Sequence, residues 1–146
     1  MSATQHAIDR HAIEFRAVLG ALGAIQFVDG AWALLAPTSF YDDFPLGRGW
    51  VEALPAYNEH LVRDVGELFL ATAVVLFAAA IYLERRLVLT AIAAYLVWAV
   101  PHTVYHAFNL EPYGTADAIG NGIALVLTVL LPLWLLWRMR PAAGVT

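Results

Sequence analysis

The chain has 146 residues, enough for one domain, and is 61 % hydrophobic and 14 % charged, with a mean hydropathy of +0.67. Soluble domains average roughly 45–50 % apolar and about 25 % charged residues, so this composition points to the membrane class. A net charge of −4 without a basic cluster excludes a nucleic-acid footprint, and the absence of cysteine excludes disulfides, thiolate metal sites and iron–sulfur clusters.

In chain order, residues 1–16 mix acids with bases and do not read as a signal peptide. Ile8, Ala12 and Phe15 recur at helical spacing, which predicts a short amphipathic helix lying at the membrane surface. Four apolar segments follow, at about 17–36, 60–83, 87–108 and 116–137. Each is near the ~20 residues that span ~30 Å of hydrocarbon. In lipid they must be helices, because their backbone groups find no water to bond. The expected fold is all-α: a single membrane domain built as a four-transmembrane-helix bundle.

The arginines orient that bundle. Arg10 and Arg16 precede the first span, Arg85 and Arg86 join the second to the third, and Arg138 and Arg140 follow the fourth. The positive-inside rule makes their side cytoplasmic and places both termini inside. The outer side then holds "TSFYDDFPLGRGWVEALPAYN" and "NLEPYGTAD", which are acidic and aromatic. The first of these is a ~20-residue outer loop, a length that favours structure of its own or a function. Its aromatics read as interface anchors, with a lid over a pocket as the sharper alternative.

The second span opens with "YNEHLVRDVGELFL", whose His60, Arg63, Asp64 and Glu67 fall at i, i+3, i+4 and i+7 on one helical face. Asn58 is placed to cap that helix. The third span carries His102 and His106 in "PHTVYH", again i, i+4, directly after Pro101, which should kink or restart the helix. The fourth offers Asp117 and Asn121, and the first Gln26 and Asp29. With alternating helix directions, all four spans place their polar residues in the outer half of the bilayer, and a bundle enclosing a polar pocket accounts for this.

His60, Asp64, Glu67, His102 and His106 are the candidate metal ligands, because i, i+4 histidines can grip one ion and carboxylates complete such a set. Zinc, iron, manganese or copper would suit it, and haem b between His60 and a third-span histidine is a lesser option. Asp29, Arg63, Asn121 and Asp117 are the candidate ligand-binding residues. The plainer readings are that Arg63 neutralises Asp64 or Glu67, that Asp29 bonds to Trp32, Asn121 or a histidine, and that Asp117 is a first-turn acid favoured by the helix dipole. A small polar ligand, a homo-oligomer or accessory subunit of a membrane complex, and a redox protein are all consistent with this pattern. Proton-coupled transport through Asp29 fits less well with apolar inner halves. Nucleophilic catalysis has no support, and any enzyme here would use metal-assisted redox or hydrolytic chemistry on the outer side.

The stretches "GRGWVEALPAYNEHLVRDVGELFLA" and "PHTVYHAFNL" resemble a group of small, uncharacterised four-helix bacterial membrane proteins, over nearly the whole chain. Size and helix count give a looser likeness to DoxX-like membrane proteins. The resemblance implies the fold and a bacterial inner-membrane setting, and brings no activity or site residue with it.

Overall fold

The structure, a computed structural model, describes residues 3–54 and 56–140. It contains α1 (Ala3–Arg10), α2 (Ala12–Leu35), α3 (Pro37–Asp43), α4 (Glu59–Tyr82), α5 (Arg85–Ala107) and α6 (Thr115–Arg138), and no strand among the described residues. The four long helices have 23 or 24 residues each, about 35 Å at 1.5 Å per residue. All four are long and apolar enough to cross a membrane. They alternate in direction, so α1, the 83–84 turn and the end of α6 share one end of the bundle, here the terminal end. The opposite loop end holds α3, residues 44–58 and residues 108–114.

The most extensive interface joins α2 to α4, and glycine makes it possible. A Cβ on Gly66 would stand 2.7 Å from the Leu34 nitrogen and 2.8 Å from the Gly30 oxygen. A Cβ on Gly30 would in turn meet the Gly66 oxygen at 2.8 Å. The two backbones are therefore in direct contact, as small residues permit between membrane helices. Ala73, one heptad beyond Gly66, continues the seam at 1 % exposure.

Arginines close both ends of this pair. Arg16 of α2 donates to the Ala80 and Ile81 carbonyls at the end of α4, at 2.7 and 2.9 Å. Arg63 of α4 donates to the Leu34 carbonyl at the end of α2. Helix C-termini carry unsatisfied carbonyls and partial negative charge, and cations there are favourable. Asn58 caps α4 as expected, its Oδ1 accepting from the Leu61 amide at 3.2 Å.

The terminal half has a dry core in which Ile8, Phe15, Leu19, Leu76, Ile92 and Leu135 are 0–1 % exposed. Ile8 and Phe15, expected to face the membrane surface, thus turn inward onto the bundle. Hydrogen bonds of Gln5 to the Leu83 carbonyl (3.0 Å) and from the Arg85 amide (2.9 Å) tie α1 to the α4–α5 turn. Arg138 joins the end of α6 to Glu14 at 2.6 Å and to His11 at 2.9 Å.

Pro101 does not restart α5. The helix runs through it from Arg85 to Ala107. The long loop carries structure of its own, since residues 37–43 form α3, with Pro37 in its first turn. After α3 the chain turns tightly, with left-handed φ at Leu46, Gly47, Gly49 and Ala56.

Candidate ligand cavity

At the loop end the dry core gives way to a cavity of about 700 Å³. Its walls come from five helices and the loop. Leu22, Ile25, Gln26 and Asp29 line it from α2; Leu61, Val62, Val65 and Phe69 from α4; Tyr95, Trp98, His102, Tyr105 and His106 from α5. Asn121, Thr128 and the leucines at 125, 127 and 131 line it from α6, and Phe40 and Tyr41 from α3. Phe44, Trp50, Val51 and Leu54 of the loop complete it.

The loop aromatics therefore cover the cavity. Phe40 packs on Phe44 with ring centroids 5.0 Å apart, and Trp32 meets Phe40 edge-on at 5.8 Å. The cover is fastened to α6. Arg48 and the Trp50 indole both donate to Asp117 Oδ1, the latter at 2.7 Å. Tyr113 donates its hydroxyl to the Trp50 carbonyl at 2.8 Å, and burial holds that phenol above its ordinary pKa. The latch thus joins a basic loop residue to a helix N-terminal turn, where an acid is already favoured.

α5 contributes an aromatic ladder. Trp98 stacks on His102 at 4.9 Å with 21° between planes, and His102 meets His106 edge-on at 4.6 Å. Phe69 of α4 packs edge-on against Trp98 at 4.9 Å, joining the two helices at mid-depth. His106 is buried, and its Nδ1 accepts from the Asn121 amide at 3.3 Å. That bond leaves Nε2 to carry the proton on a neutral ring.

The sequence-derived candidates separate into two groups. Asp29, His102, His106 and Asn121 come together on the cavity. His60, Arg63, Asp64 and Glu67 do not, because the cavity face of α4 is Leu61, Val62, Val65 and Phe69. The stripe lies on the other side of the helix. His60 pairs with Asp64 at 3.4 Å on the surface, with His60 85 % exposed. Glu67 is exposed too. Arg63 pairs with Glu59 at 2.8 Å, and with neither Asp64 nor Glu67. Asp117 belongs to the latch and is absent from the cavity wall.

The physical reason is angular. Polar side chains at i, i+4 and i+7 share a face, but spacing cannot say whether that face points inward. Gly66 decides it, because the Gly30 contact turns the neighbouring Phe69 side inward and Glu67 outward. Consequently the expected metal set is not assembled: among the described residues no group of three or more His, Asp or Glu could hold an ion.

Asp29 is the least conventional member of the site. The Trp32 indole donates to Ser39 at 3.2 Å and Asn121 is bonded to His106, so two of the expected partners are engaged elsewhere. The described hydrogen bonds and ion pairs include none to Asp29, although it is half-buried in the cavity wall. Gln26, one turn deeper, is 2 % exposed and was legible from sequence only as a polar residue in an apolar span.

Ile25 of α2, Leu127 of α6, Leu61 of α4 and Tyr105 of α5 line the cavity at 49 %, 48 %, 60 % and 50 % exposure. The chain matches no known family, no curated protein and no solved structure.

Proposed function

We propose that this chain is a multi-pass protein of a bacterial inner membrane that binds one small amphiphilic organic molecule in the cavity at its loop end. The carrying observation is the cavity itself, about 700 Å³ of space with apolar and aromatic walls and a few convergent polar groups. That is the usual form of a small-molecule site. The ligand's apolar body lies against Leu22, Phe69, Trp98 and Leu131. Its polar group reaches Gln26, Asp29 or the histidines.

The orientation rests on charge. Arg10, Arg16, Arg85, Arg86, Arg138 and Arg140 belong to the terminal end, whereas only Arg48 and Arg63 belong to the loop end. This supports cytoplasmic termini and a cavity in the outer half of the bilayer. A reporter fused after Thr146 that proves extracytoplasmic would reverse this placement.

The binding test uses a neutral, environment-sensitive naphthalene dye on protein purified in lipid nanodiscs. The expected result is one dye per chain, displaced when Ala124→Phe narrows the site, because Ala124 also lines the cavity from α6. Dye binding no better than to empty nanodiscs, or binding untouched by Ala124→Phe, would overturn the reading.

The lipid-facing stripe favours a second reading, in which the chain is also a subunit of a complex. Glu67 sits about 12 Å along α4 at 1.5 Å per residue, and a charge at that depth costs roughly 2.5–3.5 kcal/mol on insertion scales. A partner helix bearing a base at the same depth would remove that cost. Glu67→Leu should then abolish a larger species seen on native gels of mild extracts while leaving the isolated chain folded. An unchanged gel pattern would dismiss this reading.

A further inference from the structure

We infer that the molecule bound in this cavity is a lipophilic cation, such as a protonated amine or quaternary onium group carrying apolar or aromatic substituents. The inference rests on the ligand-binding reading above and adds the ligand's charge.

Three observations carry the charge. Asp29 stands in the cavity wall with none of the described hydrogen bonds or ion pairs, and Trp32 and Asn121 are bonded elsewhere. An acidic group left without a protein partner in an apolar cavity favours a cation to complete it, since charge in a low-dielectric setting is stable only when paired. Second, no basic side chain offers a competing attraction for an anion. The chain has no lysine, and no arginine lines the cavity. The two arginines at the loop end are committed, Arg48 to Asp117 and Arg63 to Glu59 and the Leu34 carbonyl. His106 does not fill that role, because it is held as an acceptor at Nδ1 by Asn121.

The third observation is the aromatic wall. Trp98, Tyr95 and Phe69 form a contacting cluster on the cavity, with centroid distances of 4.9 Å for Phe69–Trp98 and 5.7 Å for Tyr95–Trp98. Aromatic faces attract cations through their negative quadrupole, and aromatic surroundings with a nearby carboxylate are how onium groups are recognised. A metal ion would need additional ligating groups that this wall does not bring together.

The test compares three probes of one shape: tetraphenylphosphonium, neutral tetraphenylsilane and tetraphenylborate, each measured by equilibrium dialysis on nanodisc-embedded protein after subtraction of empty nanodiscs. Asp29→Asn should weaken tetraphenylphosphonium binding at least about tenfold, leave tetraphenylsilane unchanged and leave tetraphenylborate unchanged or tighter. Asp29→Glu, which keeps the charge, should retain the cation. Thermal melts of both variants check the fold. Equal losses for all three probes in folded Asp29→Asn, or no loss for the cation, would overturn the cation assignment while the ligand-binding reading stands. If none of the three probes binds the parent protein, both readings fall.

Discussion

The same four helices build two halves with opposite interiors. In the terminal half Phe15, Leu19, Leu76, Ile92 and Leu135 fill the space between them almost completely. In the loop half the helices stay in pairs but the pairs stand apart. α2 and α4 remain locked through Gly30 and Gly66. α5 and α6 remain tied by Thr103 donating to the Leu125 carbonyl at 3.2 Å and by the His106–Asn121 bond. The space between the two pairs is the cavity. Tight packing and open space thus occupy different lengths of the same helices, and the dry half can hold the bundle while the other half stays hollow.

That division can be broken most directly by truncating a core side chain. Leu76→Ala in the terminal half should lower stability by about 2–5 kcal/mol, because it loses buried surface and leaves a void. Val62→Ala, on the cavity wall, opens no new void and should cost less than about 1 kcal/mol. Denaturant titrations in micelles, followed by helical circular dichroism, compare the two, and equal losses would mean that the halves do not differ in packing.

A smaller effect is expected where the helices of one pair touch. Gly66→Ala should destabilise by about 1–3 kcal/mol, since the new methyl meets backbone that cannot rotate away. The gain in helix propensity, about 1 kcal/mol, offsets only part of this. Gly120→Ala is the control: its Cβ would meet only the Trp50 ring at 3.4 Å, so a loss as large as that of Gly66→Ala would remove the special role given to the α2–α4 contact.

The smallest effect should come from the latch. Asp117→Ala removes the shared acceptor of Arg48 and Trp50. Amide exchange over residues 44–54 should quicken while α2 and α4 keep their protection, because the loop is the least buried part of the cover. If exchange quickens throughout the bundle, the latch supports the fold as a whole and not the cover alone.

Much of the architecture is legible in hydropathy. The segments expected at 17–36, 60–83, 87–108 and 116–137 differ from the four long helices by only a few residues at most ends, because length and apolarity fix a spanning helix without reference to its neighbours. The exception is the start of α2, which reaches back to Ala12 because Phe15 finds a place in the protein core. Half of the candidate site is legible for the same reason. Asp29, His102, His106 and Asn121 were marked by polarity and depth alone, and these are the residues that meet on the cavity.

What the sequence could not decide was rotation about the helix axis. The stripe in "YNEHLVRDVGELFL" has the same spacing whether it faces a pocket or the lipid, and only the Gly30–Gly66 contact turns His60, Asp64 and Glu67 outward. A cover is legible as one alternative for the loop aromatics, but its fastening is not, since the Arg48–Asp117 latch joins residues 69 positions apart. Sequence alone determined that four helices span and where along each of them polarity lies, because both follow from transfer between water and lipid residue by residue. Which face meets which neighbour, and hence what shares the cavity with Asp29, depends on close packing between helices, and that only the tertiary structure decides.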